Sequence, residues 1–329
     1  MGSAVKMPAR PCPFCESTNT KYFGTRRGSR FERCRQCGSI FMQISEEGFR
    51  ELHHRAWEDD DFATDVFLQQ GAVPNRKVYS EIAPSFEGAG SILEIGPGSG
   101  HLLAAFKEAG HDVVGVETSE VHRRLIKEHW GIPNVYEALN EIPEGQTFSG
   151  IILINTLEHL YEVVPFLELL GRYLDENGRI FVSTVHANAL VSKVCRTKWS
   201  MFKQIDHVSF PSAKGMRIAF KRAGLDARRV WTHETPFETA VSVLVAIRDS
   251  IRERKKDETT LAGIENTQAS KEEQESKGES PKRWTNIKRI LRSNGVFMRN
   301  EPISMVTSRL GIASSIKCLG QRHDGSLRP

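Results

Sequence analysis

SILEIGPGSGHLLAAFKEAGHDVVGVE, residues 91–117, holds a strand, a glycine loop, a helix and a second strand in immediate succession. Ile92, Leu93 and Ile95 make a short apolar β run that breaks into Gly96, Gly98 and Gly100. The chain restarts as an amphipathic helix through Leu102, Leu103, Ala105 and Phe106, which Gly110 ends. Val113, Val114 and Val116 form the next strand, closing on Glu117. Glycines let backbone approach a ligand closely, and a helix N-terminus offers unpaired N–H groups. A carboxylate at the tip of the second strand can accept hydrogen bonds from a ribose diol. The unit reads as a nucleoside-cofactor site.

The glycine spacing narrows the cofactor. A dinucleotide fingerprint, G-x-G-x-x-G, would need a third glycine where His101 stands, and no lysine is present for a phosphate-binding P-loop. The pattern is E-x-G-x-G-x-G, from Glu94 to Gly100. It resembles motif I of the class I S-adenosylmethionine (SAM) dependent methyltransferases. The resemblance implies an α/β, Rossmann-like sheet of seven strands. It also implies cofactor contacts from Glu94, Gly96, Gly98, Gly100, Glu117, Thr118, Leu139 and Asn155.

The likeness runs from about Val73 to Val230, with a short stretch near the C-terminus. VYEALNEIPEGQTFSGIILINTLEHLYEV resembles the third and fourth strands with their loop, and PFLELLGRYLDENGRIFVSTV the next helix, turn and fifth strand. DHVSFPSAKGMRIAFKRAGLDARRVW resembles the histidine, helix and sixth-strand segment of small-molecule methyltransferases. IASSIKCLG, residues 312–320, resembles the last strand, which inserts antiparallel beside the sixth. Two positions depart from the pattern. Ser149 stands where the fourth strand usually opens on Asp, and the adenine loop offers only Ala138, Leu139 and Asn140, with Asn155 as a helper.

Four of the six cysteines form C-x2-C-x18-C-x2-C: Cys12, Cys15, Cys34 and Cys37. That spacing suits a zinc site, since each C-x-x-C puts two thiolates on one turn and two such knuckles close a tetrahedron. Lys21 to Arg33 reads as strand, Gly28-Ser29 turn and strand, with Arg33 and Arg35 placed to offset thiolate charge. Two disulfides or a redox pair are the alternatives, which a reducing compartment and a doubled motif disfavour. Four protein ligands leave no open position, so Zn²⁺ here is structural. Cys195 and Cys318 are isolated and read as packed.

A zinc ribbon followed by a methyltransferase resembles enzymes that methylate sugars, nucleotide sugars and other small metabolites, with the ribbon beside the acceptor site. The expected units are a ribbon over 1–44, a helical connector over 45–72, a SAM-binding core over 73–235, a helical insertion over 236–311, the last core strand over 312–322 and a tail over 323–329. The connector, with His53, His54, Trp57 and the acidic run Glu58–Asp61, reads as a plain helix; a lid or acceptor wall is the sharper alternative. Within the insertion, Thr239–Ile251 reads as a helix and residues 257–281 as a disordered linker by composition. Near 284–292, Trp284, Ile287, Ile290 and Leu291 fall at helical spacing among basic residues. Packing on the core is the expected role of that helix, and peripheral contact with an anionic membrane the alternative.

Charged residues make up 26% of the 329 and the net charge is +4, so no global nucleic-acid field is implied. The longest apolar run, Ala240–Ile247 with Ser242 inside it, falls far short of the roughly 20 residues that span a bilayer. MGSAVKMPARPCPFC lacks an apolar signal region, and Lys6 breaks the myristoylation pattern, so a cytoplasmic chain is expected.

The sulfonium of SAM is already a strong electrophile, so an enzyme must mainly align the acceptor and exclude water. A hydroxyl acceptor also gains from a base, and histidine suits neutral pH. His159, in NTLEHL after the fourth strand, and His207, in DHVSF after the fifth, are the candidates. His207 is expected to face the acceptor, with Trp199, Phe202 and Phe210 as water-excluding surface. In ubiquinone-type O-methyltransferases a similar segment supplies Glu, Glu and His to a metal; Glu158 and His159 match, but Asn155 replaces the first glutamate. The reading reached is methylation of a small molecule at oxygen, with a sugar-containing or lipid-linked acceptor. RNA or protein methylation through the ribbon and an inactive scaffold are the alternatives.

Overall fold

The computed structural model describes residues 10–57, 78–203, 206–233, 310–311 and 313–322, with Leu244 and Arg248. The acidic run Glu58–Asp61, the segment 257–281, the basic helix near 284–292, the N-terminal MGSAVK and the tail 323–329 lie outside the described residues, as does most of the expected helix over Thr239–Ile251.

Two sheets carry the chain. The larger has seven strands: β4 (Ser91–Ile95), β5 (Asp112–Val116), β6 (Val135–Tyr136), β7 (Phe148–Ile154), β8 (Leu174–Val185), β10 (Leu225–His233) and β11 (Ser315–Arg322). Their spatial order is β10-β11-β8-β7-β4-β5-β6. All are parallel except β11, which runs antiparallel to both β8 and β10. The central strands are continuous apolar runs because helices cover both faces. Helices α2 (His101–Glu108), α3 (Glu120–Trp130), α4 (Val163–Tyr173) and α6 (Ala213–Arg222) alternate with the strands. Ser119 caps α3 by accepting from His122 N, and Gly131 ends it in a left-handed turn. Ser149 opens β7 by donating to Asp175 Oδ2 at 2.9 Å.

The smaller sheet has the order β1-β2-β3-β9, from Thr20–Arg26, Ser29–Cys34, Ile40–Gln43 and Ser209–Phe210. The hairpin β1–β2 turns at Arg27 and Gly28, both at positive φ. Its fourth strand comes from the methyltransferase-like core: Ile40 and Phe41 pair with Phe210 and Ser209. A single small sheet cannot bury its own apolar face, and this one uses the core for that purpose. Trp199, Phe202 and Phe210 are at most 2% exposed and pack with Phe23, Phe31, Ile40 and Met42. They are therefore mortar between ribbon and core and not the acceptor-facing surface expected from sequence. Helix α1 (Glu46–Trp57) follows the ribbon, and α5 (Leu190–Cys195) precedes the Trp199 segment.

Ser212 ties the two sheets at their junction. Its Oγ accepts from Gly215 N as the cap of α6 and donates to Cys37 O in the second knuckle. Its own N–H donates to Ser39 Oγ at 3.1 Å. Ser212→Ala leaves a buried helix end and a buried carbonyl short of partners, and we expect it to cost about 2 kcal/mol. Urea unfolding followed by circular dichroism measures this, with Ser212→Thr retaining most of the stability.

Candidate active site

The sheet reverses its direction of growth at β4: β5 and β6 extend it one way, β7 and β8 the other. Open α/β sheets bind ligands at the carboxyl edge of such a switch point. A cavity of about 850 Å³ opens there. Glu94, Gly96, Gly98, Glu117, Thr118, Leu139 and Asn155 all line it.

Gly96 and Gly100 hold the loop in its shape. Both are left-handed, with φ of 68° and 71°. A Cβ on Gly96 would lie 2.8 Å from Thr156 Oγ1, and one on Gly100 2.8 Å from Ile126 and 3.0 Å from Trp130. Gly100 does not itself line the cavity; it lets the start of α2 close against α3. Asn155 also has positive φ, 51°, a conformation Asn tolerates better than most residues. Glu117 Oε2 accepts from Gly98 N at 3.0 Å and Oε1 from Ser119 N at 2.9 Å. The carboxylate is fixed while keeping acceptor sites for a diol.

Glu94 contrasts with it. Its Oε2 is buried without a hydrogen-bond partner. Burial, followed by the charge of Glu117, pushes its carboxyl up to about 8 against an opposing Leu103 N–H. A buried acid facing a cavity without a counter-charge is built for a cationic ligand group. His53, from the connector read alternatively as an acceptor wall, also lines the cavity, as do Ser99, His122, Glu137, Thr156, Phe166 and Leu169, which sequence reasoning did not mark. Phe166 and Leu169 share one face of α4, the only local signal that could have shown them.

A second cavity, about 600 Å³, shares His53, His159, Leu160, Phe166 and Leu169 with the first. Phe49 and Tyr161 line it and stack, with ring centroids 5.3 Å apart and 28° between planes. The connector helix α1 thus forms a wall of this space through Glu46, Phe49, Arg50 and His53. His159 belongs to both cavities, whereas His207 lines neither. The two rings meet edge to face at 4.8 Å. His159 Nδ1 lies 3.0 Å from Asp206 Oδ2. Side chains alternate along an extended segment, so Asp206 turns to His159 and not to its neighbour His207. Burial would lower His159, but Asp206 and the charge of Glu158 outweigh it and raise the imidazole. Burial lowers His207, with Glu158 opposing.

Glu158, His159 and His207 offer ligand atoms within 4.8 Å of one another. Thr184 Oγ1 donates to Glu158 Oε2 at 2.6 Å and Asp206 pairs with His159, whereas His207 Nδ1 is buried without a hydrogen-bond partner.

Cys12, Cys15, Cys34 and Cys37 are buried and reduced, with their sulfurs within 4.8 Å of one another. The closest pairs, Cys12–Cys37 and Cys15–Cys34, stand 3.6 and 3.5 Å apart. Zn–S bonds of about 2.3 Å in a tetrahedron separate sulfurs by about 3.8 Å, so the set fits zinc. Gly38, at φ 82°, turns the second knuckle, and Glu16, at φ 56°, takes the corresponding place in the first.

Residues 67–230 match the family model for a methyltransferase domain. The ubiquinone biosynthesis O-methyltransferase of Mesorhizobium japonicum is 32% identical over 110 residues, covering 32% of this chain and 44% of that protein. The mitochondrial ubiquinone biosynthesis O-methyltransferase of Schizosaccharomyces pombe is 26% identical over 151 residues, 44% of this chain and 50% of that protein. A solved SAM-dependent methyltransferase from Archaeoglobus fulgidus superposes with a TM-score of 0.48 at 14% identity, covering 80% of this chain and all of that one. The chain spans about half the length of the curated relatives it matches. Through its domain at 67–230 it belongs to the class I SAM-dependent methyltransferases.

Three outcomes follow from these two sites. Glu117→Ala should weaken S-adenosylhomocysteine binding by about tenfold or more in calorimetry, since a charge-assisted bond contributes roughly 1.5–3 kcal/mol. Glu94 binds a proton in the fold that the unfolded chain releases, so its contribution to stability is present below pH 4.5 and is lost as pH rises through about 8. Thermal melts of the ligand-free protein should fall across that window, and Glu94→Gln should flatten the fall. Elemental analysis should find one zinc per chain, and Cys34→Ser should release it.

Proposed function

We propose that this protein transfers the methyl group of SAM to a hydroxyl oxygen of a small molecule. His159 takes the proton and Asp206 holds its ring. The observation that carries this reading is the place of His159 in both cavities, with Nδ1 held 3.0 Å from a carboxylate. Asp206 fixes Nδ1, which leaves Nε2 as the nitrogen able to take a proton. When bound, SAM supplies an electrophilic methyl; the acceptor oxygen bonds to it and the C–S pair stays on sulfur. The hydroxyl proton passes to His159 Nε2, and the imidazolium gains the charge of Asp206 and Glu158. His207 acts through its edge-on contact with His159. Glu117 holds the ribose, and Glu94 faces the ammonium.

Two relatives are named O-methyltransferases of ubiquinone biosynthesis, which supports oxygen as the acceptor atom. For the acceptor itself, the Phe49, Tyr161 and Phe166 wall suits a flat ring face. A sugar or nucleotide sugar satisfies that wall by stacking and presents a hydroxyl at its edge.

The test is a screen of sugars, nucleotide sugars and phenols with methyl-labelled SAM. On any acceptor found, His159→Ala should lower turnover by roughly 10²–10⁴-fold with S-adenosylhomocysteine affinity unchanged. The base works deprotonated, so the rate should rise with pH through a value above the ordinary imidazole range. Asp206→Asn should move that limb to lower pH. Full turnover by His159→Ala would sink the assignment.

A further inference from the structure

Arg10 stands two residues ahead of the first knuckle cysteine and is 7% exposed. Its backbone is locked to β3 in both directions: its N–H donates to Gln43 Oε1 at 2.9 Å, and Gln43 Nε2 donates to its carbonyl at 3.0 Å. From that anchor the side chain leaves the ribbon. Nη1 donates to Met42 O at 3.1 Å and to Val208 O at 3.4 Å. Nη2 donates to Ser209 Oγ at 3.3 Å and to Tyr161 O. The guanidinium carbon lies 4.1 Å from the centroid of the Tyr161 ring.

These acceptors belong to three segments that converge on Arg10, and Tyr161 Oη also donates to Ile44 O just past β3 at 3.3 Å. One is β3 of the ribbon; one is the turn that runs on from His159; one is the strand that follows Asp206 and His207. The two core segments are also stitched together, by Val208 N to Glu158 O at 2.8 Å and by Ser209 Oγ to Leu160 O at 2.7 Å. The ribbon joins the same node through Met42 N to Val208 O at 2.9 Å. Tyr161 carries the connection outward, stacking on Phe49 in the wall of the second cavity.

A guanidinium directs five N–H groups in one rigid plane, so its fork fixes the relative placement of everything it touches. Its hydrogen-bond partners among the described residues are three carbonyls and one hydroxyl, with no carboxylate. A buried cation with no counter-charge among its hydrogen-bond partners is costly to desolvate, so net stability alone is a weak account of its presence. The fork is matched instead to what it spaces: the His159 turn against the Asp206 strand.

We propose that Arg10 is a positioning residue for methyl transfer, by which the ribbon sets the His159–Asp206 spacing and seats Tyr161 in the acceptor wall. The inference rests on the role given to His159, but its readouts do not need turnover, so the two can fail separately.

The test uses Arg10→Gln and Arg10→Lys in the full chain. Zinc content and S-adenosylhomocysteine affinity should stay as in the parent. The imidazole resonances of His159 and His207 should shift, and amide exchange over 157–162 and 206–210 should quicken by about tenfold or more. Lysine keeps the charge without the fork and should move both readouts in the same direction. With an acceptor in hand, kcat or acceptor KM should change while SAM KM does not. Unmoved resonances and unchanged exchange in either zinc-loaded variant would overturn the proposal, as would exchange quickened evenly through the ribbon. Should Arg10→Gln lose zinc, the lysine variant decides alone by the same readouts.

Discussion

The parallel pairing of β4 with β7 is the constraint on which the remaining structure depends. Ile92 to Ile95 bond to Gly150 to Leu153, although two strands and two helices separate them in sequence. The chain must cover one half of the sheet before it can return to build the other. That detour parts the backbone at the carboxyl edge, and the glycine loop and the Asn155–His159 turn face each other across the gap. Gly150 shows how tight the pairing is: a Cβ there would lie 2.5 Å from Ile92 and 2.6 Å from Phe86. The cavity is a consequence of strand order, and the side chains at its rim then give it chemistry.

Those side chains divide the rim by charge. Glu117 accepts one backbone N–H at each oxygen and keeps further acceptor positions for a ligand. Glu94 lacks such partners at one oxygen and carries strain in the form of a raised proton affinity. Two acids on one cavity favour a ligand with positive charge, and SAM carries both an ammonium and a sulfonium. Across the gap, His159 is raised by Asp206 and Glu158 while His207 is lowered by burial, so adjacent rings differ in proton affinity. On the proposed reading, cofactor binding and proton transfer fall to different groups along one cleft.

What the sequence revealed and what it hid follow contact range. The β4–α2–β5 unit was legible because its glycines and carboxylates lie within one short stretch, and Glu94, Gly96, Gly98 and Glu117 line one cavity. The knuckles were legible for the same reason. The third ribbon strand was missed, and β9 could not be read at all: a two-residue strand has no periodicity, and its partner lies about 170 residues away. Trp199, Phe202 and Phe210 misled because apolar residues in a loop near a site look like binding surface. Only the thinness of the ribbon sheet explains why they are buried. The pairing of His159 with Asp206 needed the same long-range closure.

The ribbon is more than an appended module, since its contacts with the core include the strand that follows Asp206 and His207. Ser39 and the Cys37 carbonyl meet the cap of α6, Arg33 donates to Asn188 Oδ1 and Ala187 O just past β8, and Met42 meets Val208. A sheet this small has little apolar area of its own, so four thiolates around a metal must hold one edge while the core holds the other. Helix α1, which follows the ribbon, lines both cavities through His53 and the second also through Glu46, Phe49 and Arg50.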